Sequence, residues 1–401
     1  MKNNWKKDTT LFLTSQIISL FGSSLVQYAI MWYITLETKS GIMMTISIIC
    51  GSLPAFFLSP FAGVWADRYN RKLLIMLSDS LIAFATLILA ILYLIGYKYI
   101  WLLFVISAIR AAGSGIQSPA ISAFLPQFVP KEKLTKVNGI NTSVNSIVSL
   151  LSPMLSATLL TISKIETIFF IDVITAAFAV ITLGFFLKVP PHAKSLERKA
   201  KSYFSDMKDG ITYIKGHKYI KYFFVFCIFF FFLIAPVSFL TPLQVTRNYG
   251  SHVWRLTAIE IAFSIGMMIG GLIISQLGGF KNRIYTMSLA CLITGLTTFA
   301  LGFGIYFWVY LMIIWIMGIA VPMFHTPSTV LLQEKVEEEF LGRVFGILGM
   351  IPSFMVPLGM IVFGPLADIF HIEILLLFTG LILCVLSIFL FNNKTLIKKG
   401  K

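Results

Sequence analysis

Twelve apolar stretches, each long enough to cross a lipid bilayer, follow one another along the chain and leave little of it for anything else. They lie near residues 9–36, 42–66, 73–97, 99–125, 137–162, 166–188, 218–245, 254–278, 284–306, 308–333, 342–367 and 371–391. A spanning helix needs ~20 such residues, and a helix satisfies its own backbone polar groups where no water is present. Of the 401 residues, 57% are hydrophobic and 12% are charged, which no soluble globular domain matches. The expectation is an all-α integral membrane protein with twelve transmembrane helices.

A formal charge of +15 would point to nucleic acid in a soluble protein. Here the distribution of cations says otherwise. With the N-terminus inside, cytoplasmic segments hold 26 of the 32 Lys and Arg residues. Outer segments hold only Lys39, Lys98, Lys164, Arg247 and Arg255. The positive-inside rule then predicts both termini in the cytoplasm of a multi-pass cell-membrane protein. The basic inner surface implies anionic lipid as a partner and no nucleic acid. Cys50, Cys227, Cys291 and Cys384 lie in apolar runs without metal-ligand spacing and read as small core hydrophobes. The opening MKNNWKK has the charge of a signal-peptide start, but the run behind it is long and lacks a small-residue cleavage site. The first helix is therefore expected to be retained.

Between the second and third runs stands Gly63–Lys72, GVWADRYNRK. Its spacing, G-x-x-x-D-R-x-x-R-K, resembles the loop signature of the major facilitator superfamily. In that role Gly63 would let a neighbouring helix approach closely. Asp67 would sit against the positive end of another helix, and Arg68, Arg71 and Lys72 would anchor the turn on the cytoplasmic side. The resemblance implies a conformational latch; the plainer reading is a basic turn that sets topology. The second half repeats this stretch weakly as SQLGGFKNR, offset by 212 residues, with Arg283 as the counterpart of Arg71. Gln117-Ser118-Pro119 likewise recurs as His325-Thr326-Pro327, offset by 208. Two pseudo-symmetric six-helix bundles are the superfamily's architecture. The expected domains are 1–188, a cytoplasmic linker 189–217, and 218–401. In the linker, Tyr203, Phe204, Met207, Ile211 and Ile214 recur at helical spacing and predict an interfacial amphipathic helix.

Ionisable groups inside the bilayer are costly and are functional candidates by default. Asp79 lies about two turns into the third run, where it would either work in coupling or pair with the signature cations. Arg110 stands near mid-depth in IRAAGSGIQSPA and must face protein or a water-filled cavity; the alternative is an arginine that only holds helices together. Asp172 and Glu260 lie at similar depth, each about one and a half turns from the outer side, in opposite halves. Gln16, Ser19, Ser23, Ser24 and Gln27 share one face of the first helix, which should point inward. Gln16, Gln27, Gln117 and His325 are candidates for a substrate cavity, with a hydrogen-bonded structural histidine as the plainer reading of His325. The phenylalanines of FVFCIFFFFLIAPVSF read as a lipid-facing run, with an aromatic drug pocket as the alternative. The acidic stretch EKVEEEF, 334–340, would salt-bridge the signature turn.

Beyond the signature, Arg110 before SPA, FIDV around Asp172, EIAFSIGMMIGG from Glu260, LGGF and LLQEKVEEEFLGRVFG are similar to the corresponding stretches of bacterial macrolide-efflux proteins, a branch of the drug/proton antiporters. Ser152-Pro153, with Ser156 and Ala157 beyond, resembles that branch's G-P-x-x-G-G antiporter motif, with serine and alanine in place of glycines. The resemblance implies proton-driven efflux of an amphipathic small molecule, macrolides first, by a protein that is not an enzyme. Glu260 or Asp172 would bind the proton and Arg110 would tune it. Substrate would bind near the midplane between the halves. No cofactor is implied, the proton gradient being the energy source, and a monomer is expected. The alternatives are export of a siderophore or other endogenous metabolite, or a non-transporting membrane sensor.

Overall fold

A computed structural model describes residues 5–187, 203–304 and 306–399. Among them there is no strand, and helices follow one another with short breaks. The first six are α1 (Trp5–Thr38), α2 (Gly41–Arg68), α3 (Arg71–Leu94), α4 (Ile100–Phe124), α5 (Lys131–Ile162) and α6 (Ile165–Ile181). After the linker come α7 (Tyr203–Gly216), α8 (Lys218–Leu233), α9 (Ala235–Phe239), α10 (Thr241–Tyr249), α11 (Val253–Leu277) and α12 (Arg283–Ala300). The chain ends with α13 (Phe307–Lys335), α14 (Glu338–Ile369), α15 (Ile372–Asn392) and α16 (Lys394–Lys399).

Among the described residues ten helices are long and apolar enough to span a membrane, or eleven if the bent pair α7–α8 counts as one. The seventh expected span is not one rod. Pro236 and Pro242 stand at the starts of α9 and α10, where a missing N–H ends the preceding ladder, so the run divides into α8, α9 and α10. The ninth expected span is the 18-residue α12.

The helices gather into two compact units. The first holds α1 up to Glu37, α2 from Ile46 onward, and α3 to α6. At one end of it is a cluster of aromatic rings, Phe12, Phe124 and Phe128, with centroids 5.2–5.7 Å apart. The signature turn is tied down beside it. Arg71 is buried, and its guanidinium donates to the carbonyls of Ala66 and Ala123, both at 2.7 Å, at the C-terminal ends of α2 and α4. Lys72 donates to Gly184 and Leu187 just past α6. A cation at a helix C-terminus meets both unpaired carbonyls and the negative end of the dipole. Asn70 caps α3 by accepting from the Leu73 N–H.

The second unit holds α7 to α16 and also draws in Thr38–Thr45. The reason is Asp368 at the end of α14. It accepts from the Ser40 hydroxyl (2.7 Å) and from the Gly41 and Ile42 N–H groups (2.7 and 2.9 Å), which are orphan donors at the start of α2. Arg247 completes the clamp, donating to Asp368 and to the carbonyls of Lys39 and Ala367. Gly41 and Gly364 let the two backbones touch, since a Cβ on either would collide with the other segment. Asn282 caps α12 as Asn70 caps α3, at the same offset of 212 residues as Arg71 and Arg283.

The linker helix turns away from α8 by 112° at His217. It also docks on protein: Tyr213 stacks between His217 and Phe340 at 4.2 and 4.4 Å, and a Cβ on Gly210 would press into Ile347. The side chains of Tyr203, Phe204 and Met207 lie outside the described residues. So do residues 188–202 of the linker.

Candidate functional site

In the first unit, one face of α1 organises two buried carboxylates. Gln16, Ser19 and Ser23 follow at helical spacing, so their side chains line up along the helix. The Ser19 hydroxyl donates to Asp79 at 2.7 Å, and the Gln16 amide nitrogen lies 3.5 Å from the same carboxyl. Gln117 of α4 supplies a third donor at 2.8 Å and also reaches Gln16. Asp79 is 2% exposed, and every donor on it is neutral. Among the described side chains it pairs with no signature cation, because Arg71 and Lys72 are engaged by helix-end carbonyls. That alternative for Asp79 is overturned.

One turn further along α1, Ser23 donates to Asp172 of α6 at 3.0 Å. Arg110 of α4 meets the other carboxylate oxygen of Asp172, together with Thr86 of α3. Its second terminal nitrogen donates to the Ser23 carbonyl at 3.1 Å. Arg110 is 5% exposed and Asp172 is fully buried. Two charges at this depth persist only when paired and saturated with hydrogen bonds, and four helices contribute to that here.

Beside this network lies a cavity of about 320 Å³ whose polar walls include Gln16, Ser19, Ser23, Gln117, Asn141 and Asn145. Gln27 is exposed, beside Gly51 of α2 rather than on that wall. Ser152 and Pro153 are buried in α5, and Ser156 below them donates to the Leu25 carbonyl of α1 at 3.0 Å. The motif-like segment thus sits in a helix contact.

The second unit is built differently. A cavity of about 230 Å³ is walled by α8, α9, α10, α11, α12 and α13, with Phe230, Phe231, Phe263 and Phe324 on its surface. Most phenylalanines of the α8 run are buried; Phe223, Phe226, Phe230 and Phe231 are all under 10% exposed, so the lipid-facing reading fails for them. The physical reason is that α8 packs them into the core of the unit, against residues such as Met287, Phe324, Ile351 and Leu383. Glu260 lines this cavity, as does His325, whose ring lies edge-on to Phe324. No described donor or cation reaches the Glu260 carboxylate. The sequence held a trace of this pocket: Phe263 is three residues from Glu260, on the same helix face, and Phe324 adjoins His325.

A Cβ on Gly63 would meet no described atom within 4 Å, so the close approach expected there is made instead at Gly113 and Gly115 of α4, against α3 and α2. Glu334 of the acidic stretch pairs with Arg283 of its own unit, at 2.7 Å, and the side chains of Glu338 and Glu339 lie outside the described residues. The side chains of Asp67 and Arg68 lie outside the described residues.

Comparison with known proteins agrees with this architecture. The Major Facilitator Superfamily model matches residues 12–360. Macrolide efflux protein A of Streptococcus pyogenes is 30% identical over 388 residues, 96% of this chain and 95% of that one. The staphyloferrin A transporter of Staphylococcus aureus is 22% identical over 97% of both chains. Among solved structures, a bacterial homologue of the human lysosomal transporter Spinster superposes with a TM-score of 0.73 at 13% identity, covering 100% of this chain and 99% of that one. That last likeness is one of fold.

Proposed function

The chain belongs to the Major Facilitator Superfamily, and from that premise we propose that this multi-pass membrane transporter exports amphipathic drugs, macrolide-type antibiotics foremost, in exchange for protons. The observation that carries the reading is the 30% identity with macrolide efflux protein A along almost the whole chain. The aromatic, weakly polar cavity of the second unit supports it, since such walls suit an amphipathic ligand.

The proton is assigned to Asp79. Asp172 is committed to Arg110, and neutralising it would strand a buried arginine. Asp79 meets only neutral donors, so a proton arrives or leaves without orphaning a fixed charge. All three donors, Gln16, Ser19 and Gln117, also line the polar cavity and give the proton a route to it. Gly63, Asp67, Arg68 and Arg71 keep the latch role that the signature implies, and the cation distribution supports cytoplasmic termini in the cell membrane.

The test is uptake of a labelled macrolide into inverted vesicles under an imposed pH gradient. Asp79→Asn is expected to fold normally and to lower gradient-driven uptake to the level of empty vesicles. Wild-type uptake that ignores the gradient would remove the exchange mechanism. Similarity to the staphyloferrin A transporter keeps a second reading, export of a siderophore. An acidic ligand would bring like charge to Glu260, and the two readings separate on iron-limited growth of a deletion strain without drug.

A further inference from the structure

The cavity of the second unit contains one carboxylate and nothing that answers it. Thr294 on its wall already donates to Ala290 of its own helix at 2.9 Å, and the Thr241 hydroxyl is likewise bonded to Val237. His325 is the other titratable side chain on the wall, and it does not bond to Glu260. Ser238 adds one neutral hydroxyl to the wall, and the remaining surface is mostly hydrocarbon and aromatic ring. Phe230 and Phe324 stack there at 4.6 Å with 17° between their planes, which presents π-faces and no donor.

Glu260 is half-buried on this wall, and a carboxylate held against apolar surface without a partner is costly, more so than any neutral group. The first unit meets that cost with Arg110. The second unit has no cation in the corresponding place, because the offset that relates Gln117 to His325 carries Arg110 onto Gly318. A ligand is the remaining source of positive charge. Aromatic faces around a carboxylate favour an ammonium group carried on an apolar frame, through charge-assisted hydrogen bonding and cation–π attraction together.

We infer that this cavity is a recognition pocket for the protonated amine of an amphipathic ligand, with Glu260 as its counter-charge. Its volume of about 230 Å³ is below the ~300–1,000 Å³ of pockets that enclose a whole drug-sized molecule. It therefore takes the basic head of a larger substrate, or a small lipophilic amine entire, and discriminates against neutral relatives of the same shape. This deepens the export reading by naming the chemical class of its substrate, and it assigns Glu260 to the ligand and not to the proton.

The test is equilibrium binding to the full-length protein in lipid nanodiscs, with N,N-dimethylnaphthylethylamine and naphthylethanol as charged and neutral probes of one frame. Wild type is expected to prefer the amine by about tenfold to a hundredfold, the range for a hydrogen bond to a charged group. Glu260→Gln should bring the amine down to the level of the alcohol, while Glu260→Asp keeps a preference. Phe324→Leu should weaken the amine by a few-fold at most. Equal binding of the two probes by wild type, or an unchanged preference in Glu260→Gln, would overturn the proposal. The measurement is independent of transport. Amine preference without gradient-driven macrolide uptake would sink the export reading alone, and macrolide uptake without amine preference would sink this one alone.

Discussion

Asp172 and Glu260 each stand in an apolar run, one in either half of the sequence, yet they live in opposite chemical settings. Asp172 is enclosed by Arg110, Thr86 and Ser23 and is fully buried. Glu260 stands on the wall of an aromatic cavity with no partner. The difference traces to the fourth helix of each repeat. In the first unit Arg110 fills the space between helices. In the second, Gly318 allows α13 to press its backbone onto Phe263 and Gly266 of α11, so no room is left for a long side chain. Close packing and an internal cation are alternative uses of one position. The first unit uses it to hold charge, and the second leaves a charge unanswered for something that comes and goes.

Three substitutions bear on that contrast. Arg110→Leu leaves Asp172 buried and unpaired, and should cost ~3–5 kcal/mol of stability. Thermal unfolding of the detergent-solubilised protein measures it, and adding Asp172→Leu should recover most of the loss; no recovery would mean that the pair is not the unit of stability. Gly318→Ala is next, at ~1–3 kcal/mol, because its Cβ runs into the Phe263 carbonyl on a rigid helix. A neutral result in the same assay would show that α11 and α13 are free to separate. Arg283→Ala removes the pair with Glu334, whose side chains are 30% and 46% exposed, and should cost only ~0–1 kcal/mol. If it costs as much as Arg110→Leu, the distinction between interior and end charges in this protein is wrong.

Much of the local design can be read from residues alone. The inward polar face of α1 follows from the three- and four-residue steps of Gln16, Ser19 and Ser23, and the structure turns those groups onto Asp79 and Asp172. The paired helix caps at Asn70 and Asn282 were equally available, since an asparagine before an apolar run is a helix-start signal. Other features left no local trace. Asp368 reads as an end-of-helix carboxylate, and nothing nearby says that its partners are the N–H groups of Gly41 and Ile42, 327 and 326 residues earlier. The phenylalanine run has the composition of a lipid-facing surface, and only the packing of α8 against the rest of its unit shows that most of it is core.

Each apolar stretch must satisfy its own backbone within itself when no water is present. The helical class and the positions of most spans were therefore legible one segment at a time, in the chain's own letters. Which buried carboxylate receives an arginine and which is left bare is decided by the rotation and spacing of helices against one another. That is a property of the packed bundle, and it came only with the three-dimensional arrangement of Arg110, Gly318 and the helices around them.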